Sequence, residues 1–161
     1  MSAALLEKVA RLSTTKWAAA EVALEHANAI RLRAEELVDA DAQAYLSFVE
    51  ALRAAKGLSG SARENSVKPA RDATVDVPLA IVRLGAEAVE LARDLAANGN
   101  PNLRADAMVA ATLAAAAATA AARLIAVNLS GAGGDRRLAE AQRIAAETSD
   151  AAEAVANPQV P

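Results

Sequence analysis

From Ala107 to Ala122 the chain runs for sixteen residues without a charge, and most of them are alanine. Alanine has the best helix propensity and adds the least bulk, so the stretch predicts a smooth helix that neighbours can approach closely. Gly99-Asn100-Pro101-Asn102 stands before it as the launching turn, and the helix is expected over Leu103–Ser130. A bundle packed around this central helix is the fold class it favours. The uncharged run is shorter than the roughly 20 residues of a spanning helix, and alanine has little affinity for lipid, so no membrane role is expected.

Hydrophobic residues make up 54% of the 161, yet aromatics are only 2%. Each alanine buries little area, so the core is light per residue. Close helix packing or a second subunit is expected to compensate, and a homodimer is the expected assembly. A net charge of −3 does not point to nucleic acid or to an anionic membrane. There is no cysteine and one histidine, His26. Neither a thiolate or histidine metal cluster nor a Ser-His-Asp triad can be built, so no metal is expected. Glu7, Lys8 and Arg11 lie too close to the start for a secretory signal. The expected setting is the cytoplasm, and the expected organisation is one helical domain over 1–156 with a frayed tail at 157–161.

Five helices follow from the periodicity. The first spans 3–12, with Leu5, Leu6, Val9 and Leu12 on one face. Ser13, Thr14 and Thr15 offer an N-cap for a long second helix over Lys16–Lys56. Its stripe includes Leu24, Ala27, Ala34, Leu37, Val38, Tyr45, Phe48 and Leu52, spaced by threes and fours. Gly57–Ser66 reads as a loop, and Pro69 as the first turn of a third helix ending near Ala97. Pro78 lies within that helix and predicts a kink near Asp76–Pro78. Ile81, Leu84, Gly85, Ala88, Leu91 and Leu95 form its later apolar face. Gly99 is expected as its left-handed cap, and Asn102 as the cap of the central helix. The glycines at 131–134 end the central helix and read as a turn rather than a phosphate loop, because no strand precedes them. Asp135 is expected to cap a last helix to about Ala156, with Leu138, Ala141, Ile144, Ala145 and Ala152 inward. The whole reads as an all-α antiparallel bundle of about five helices, two of them long.

A few polar residues interrupt apolar faces. Asp41 lies four after Leu37 and four before Tyr45, so the three share a face. In a semi-apolar cleft such a carboxyl has a raised pKa and exchanges protons near neutrality; at the stripe's edge it is simply solvated or paired with an arginine. Asp106, one turn into the central helix, is either favourable to the helix dipole or functional. Asn128 lies 22 residues further on, close to six whole turns, so both project from nearly one face about 33 Å apart. They cannot line one small site within one chain. His26, on a polar turn, reads as solvated, and Trp17 as a packing anchor.

Four stretches, taken in order, resemble the cyclodeaminase/cyclohydrolase family. They are Leu37-Val-Asp-Ala-Asp-Ala-Gln-Ala-Tyr45, Ala73-Thr-Val-Asp-Val-Pro-Leu79, Gly99-Asn-Pro-Asn102 with Asp106, and Val127-Asn-Leu129 followed by Asp135. The resemblance covers roughly 1–140, and Gly-Asn-Pro-Asn-x-x-x-Asp is its most specific piece. It implies an α-helical homodimer acting at the one-carbon bridge of a tetrahydrofolate derivative as substrate. The implied reaction is either loss of ammonia from 5-formiminotetrahydrofolate or hydration of 5,10-methenyltetrahydrofolate, and neither requires a metal. The resemblance makes Asp41 the candidate general acid/base. It makes Asp106, Asn128, Asn100 and Asn102 candidate substrate-binding residues. There are departures from the family pattern. Residues 2–12 resemble only the end of the helix that follows the family's Pro-Gly-Gly-Gly-Ser-like loop. Ala105 stands where serine is frequent, and Leu124 where the family's Asn-Val-x-Ile-Asn-Leu has its first asparagine. They motivate an alternative in which a non-catalytic helical dimer keeps the scaffold without the reaction.

Overall fold

The computed structural model describes residues 1–129 and 134–157. It contains α1 (Ser2–Arg11), α2 (Ala20–Ala54), α3 (Gly60–Asn98), a 3-10 turn (Pro101–Leu103), α4 (Arg104–Asn128) and α5 (Arg136–Ala156). The fold is all-α with five helices, and no strand occurs among the described residues.

The alanine-rich helix takes the central place expected of it. Ala107, Ala110, Ala111, Ala114, Ala118, Ala121 and Ile125 recur at three- and four-residue spacing and are buried. One apolar cluster joins the first half of α4 to α1, the start of α2, Leu84–Leu95 of α3 and the end of α5. A second joins the later half of α4 to Val75, Leu79 and Val82 of α3 and to Ala141 and Ala145 of α5. α3, α4 and α5 each run through both. Small residues make this possible: a Cβ on Gly85 would stand 3.0 Å from both the Ala114 carbonyl oxygen and the Ala118 Cβ. By length and composition alone, Pro101–Asn128 could cross a membrane, but here it is the helix on which α1, α3 and α5 pack.

Several helix boundaries differ from expectation. No side chain caps α2, which starts at Ala20. The Ser13 hydroxyl is engaged elsewhere: it donates to the Val9 carbonyl and accepts the Asn100 N–H. α3 begins at Gly60, so most of the expected 57–66 loop is helical, and Pro69 is an interior residue rather than a first-turn one. The helix continues through Pro69 and Pro78, each of which removes one backbone bond. Burial of Val67, Val75, Pro78 and Leu79 offsets that loss. Gly99 has φ −75°, so it is not a left-handed cap. Its need is for space, since a Cβ there would meet the Leu95 carbonyl oxygen at 2.5 Å and Ser13 Oγ at 2.9 Å. Asn102 does not cap α4; Asn100 caps the 3-10 turn by accepting the Asn102 N–H. Asp135 caps α5 as expected, accepting the Arg137 N–H at 2.9 Å. The expected turn at 131–134 falls mostly on residues outside those described, as does most of the 157–161 tail.

The long stripe on α2 divides in two. Leu24, Ala27, Ala34 and Leu37 pack against the core, whereas Val38 and Tyr45 are 70% and 65% exposed. Beyond about residue 37, α2 lies mainly along the first half of α3, and the two form an arm. There Val67 and Ala55 are buried and Arg63 donates to the Ala55 carbonyl.

Candidate functional site

Asn100, Asn102 and Asp106 gather where the start of α4 meets the end of α1. Asn100 makes three contacts there. Its N–H donates to Ser13 Oγ at 2.8 Å, its Nδ2 donates to the Leu12 carbonyl at 3.1 Å, and its Oδ1 accepts the Asn102 N–H. One turn away, Lys8 Nζ donates to Asp106 Oδ1 at 2.9 Å. These bonds fasten the α3–α4 corner to α1. The Asn102 side chain is exposed at the same corner.

Asn128 lies at the other end of α4, where its Nδ2 donates to the Thr74 carbonyl at 2.7 Å. That bond ties α4 to α3 beside Pro78, within the turn whose backbone bonding the proline interrupts. Close in sequence, Arg137 binds three carboxylates. It reaches Asp135 at 2.6 Å, Asp76 at 2.8 Å and Asp72 at 2.9 Å. The Arg137 side chain holds the Asp135 carboxyl down at about 2, helped by the Arg137 backbone N–H. Asp72 is also lowered, first by Lys68 and then by Arg137, while Arg137 itself is raised, chiefly by Asp135. The arrangement pins α5 to α3. Asp76 belongs to one motif in the sequence and Asn128 with Asp135 to another, and the fold draws them to one end of the bundle. Arg137 and Asp72 were not singled out; an arginine just inside a charged helix start carries no distinctive pattern.

Asp41 stands apart from both ends. It is exposed on the arm, on the open stripe between Val38 and Tyr45. The expected sharing of a face is therefore present, but no semi-apolar cleft encloses the carboxyl within one chain. His26 is not merely solvated: its Nε2 lies 2.7 Å from Glu87 Oε1, bridging α2 to α3, with Arg33 3.6 Å from the same carboxylate. Trp17 is half-buried against the main core cluster.

Two separate hollows are large enough for a ligand or another side-chain surface, and a third of about 300 Å³ adjoins the first past Ala126 and Gln142. One, of about 680 Å³, runs between α4 and α5 past Thr112, Thr119, Arg123 and Ser149. The other, of about 300 Å³, lies among the start of α1, Ile30 and Ala34 of α2, Leu84 of α3 and Leu113 of α4. None of Asp41, Asn100, Asn102, Asp106 or Asn128 lines either one. Among the described residues, no three His, Asp or Glu side chains are placed to share a metal ion.

The model of the formiminotransferase-cyclodeaminase family matches residues 1–148. The chain belongs to that family. The formiminotransferase-cyclodeaminase match takes in both ends of the bundle and all of the arm. A crystal structure of a formiminotetrahydrofolate cyclodeaminase from Thermotoga maritima is similar in fold, with a TM-score of 0.79 at 22% identity. The similarity covers 98% of this chain and 78% of that one. None of the curated proteins matches the sequence. Three of the five residues singled out for chemistry, Asn100, Asp106 and Asn128, make interhelical contacts, whereas Asp41 and Asn102 are exposed.

Proposed function

We propose that the chain is a folate one-carbon enzyme of the formiminotetrahydrofolate cyclodeaminase or methenyltetrahydrofolate cyclohydrolase type, working as a homodimer in the cytoplasm. The observation that carries this reading is the family match over residues 1–148. In the deamination, N10 of the folate attacks the formimino carbon at N5, the bond to the terminal nitrogen breaks, and ammonia leaves. Starting from the protonated formimino group, one proton is removed from N10 and one is delivered to the departing nitrogen, so that ammonia leaves and the methenyl cation remains. In the hydration, water adds to the same bridge carbon and loses one proton to solvent; the hydroxyl's second proton then passes to N5 as the carbon–N5 bond breaks, leaving the formyl group on N10. A carboxyl group can move those protons without a metal. Asp41 is the residue proposed for that task. Asn102, exposed at the corner, with the outward parts of Asn100 and Asp106, and Asn128 at the far end of α4, are proposed to position the folate in sites completed by different subunits.

The test is turnover of both substrates by the purified protein, paired with a thermal-shift titration using 5-formyltetrahydrofolate. A ligand that binds only the native state adds about 2.7 kcal/mol of stability at a hundredfold excess over Kd. The reading expects turnover of one substrate, a dose-dependent shift, and loss of turnover in Asp41→Ala. No turnover together with a flat titration overturns it.

A specific observation supports the second reading, a scaffold without the reaction. Asn100, Asp106 and Asn128 each satisfy a structural partner, Leu12, Lys8 and Thr74 respectively. On this reading Asp41→Ala changes neither stability nor cellular role, and folate produces no thermal shift.

A further inference from the structure

Two of the open apolar surfaces among the described residues are opposite in shape. The first is a ridge. On the arm Val38 and Tyr45 are 70% and 65% exposed, with Asp41 between them. The same stripe of α2 is buried at Ala27 and Ile30 in the bundle; beyond, it keeps its apolar character and loses its neighbours. The second is a groove, the hollow of about 680 Å³ between α4 and α5. Ala116 and Ala120 floor it, and Leu124 stands half-exposed at one wall. Small floor residues leave room for large incoming ones, as close packing requires.

Charge also distinguishes them. The ridge presents an acid, Asp41, and the groove a base, Arg123. Among the described residues neither has an ion-pair partner, whereas most charges nearer the bundle do. The groove also holds Glu153, on the α5 wall, which favours seating Asp41 at the Arg123 end.

We propose that the arm of one copy docks in the α4–α5 groove of a second copy, with Asp41 against the partner's Arg123, and reciprocally. A two-fold axis makes each contact occur twice, so ridge and groove are covered on both copies. This rests on the homodimer in the reading above and not on its folate chemistry.

Sedimentation equilibrium without folate tests the docking. Asp41→Arg and Arg123→Asp each place like charges together, and each is expected to raise the dimer Kd about tenfold or more. The double variant restores the pair and is expected to return to within about threefold of the starting Kd. A wild-type chain that stays monomeric at about 100 μM overturns the proposal, as does a double variant whose losses simply multiply. Because the chain has no cysteine, a second measurement is clean. Differently tagged Val38→Cys and Ala120→Cys copies, mixed and oxidised, are expected to form the mixed disulfide. Only same-variant disulfides overturn it. Reciprocal association without folate turnover leaves the docking intact and removes the folate reading; turnover by a monomer does the reverse.

Discussion

The bundle body and the α2–α3 arm are built from the same two helices and differ in what covers them. In the body, α2 and α3 have α1 and α4 beside them, and Ala27, Ile30, Leu84 and Leu91 are buried. In the arm the two helices chiefly have each other, and Val38 and Tyr45 remain open. The apolar pattern along α2 does not announce this change. Burial of an amphipathic stripe depends on how far the neighbouring helices reach, which is a tertiary property. The polar residues follow the same division. Asn100, Asp106 and Asn128, in the body, are fastened to neighbours, and Asp41, on the arm, is not.

Substitutions should report the difference directly. The largest effect is expected in the body core: Leu95→Ala, at a 1% exposed position, should cost about 2–5 kcal/mol in denaturant unfolding. A cost below about 1 kcal/mol would mean the body is as loosely held as the arm. Next comes the corner that joins α1 to α4. Gly99→Ala pushes a Cβ into the Leu95 carbonyl and Ser13 Oγ, and should cost about 1–3 kcal/mol by the same measurement. Ser13→Ala leaves the Asn100 N–H without its acceptor and should cost a similar amount, about 1–3 kcal/mol.

A smaller effect is expected at the other end of the body, and it depends on pH. Asp135 is held at about 2 by Arg137, below its unfolded value near 3.8. A depressed carboxylate contributes stability that is fully present above the unfolded value and is lost as pH falls from about 4 toward 2. Asp135→Asn keeps a good cap and removes the charge. Melting curves of this variant should show a shallower acid-side fall than wild type, with the difference confined to that window. The smallest effect is expected on the arm. Tyr45→Ser in dilute protein should change stability by no more than about 0.5 kcal/mol, because the side chain is mostly exposed in a single chain. A larger loss at high concentration, seen in the same melts, would place Tyr45 in an interface.

Much of the body was legible. The alanine run, the Leu84–Leu95 face and the Asp135 cap are local patterns, and local physics decides them. Ser13 was misassigned as a cap because its acceptor role serves Asn100, 87 residues away. The start of α3 was misplaced because Pro69 favours a first turn, and only the burial of Val67 and Val75 shows why the helix extends past it. In the candidate site, Asp76 appeared in one motif and Asn128 with Asp135 in another. Arg137, which links Asp76 with Asp135 and Asp72, carried no signal of its own. Asp41 was visible as a charge on an apolar stripe, with a semi-apolar cleft and a solvated edge both left open, and the structure places it exposed.

Native-state hydrogen exchange, followed residue by residue at low and high protein concentration, tests the division between body and arm most directly. Amides of α4 and of Leu84–Leu95 should be strongly protected at both concentrations, and those over 38–54 and 60–72 should gain protection only at the higher one. Arm amides as protected as the body in dilute solution would contradict the account, since the arm would then need no second copy to complete it.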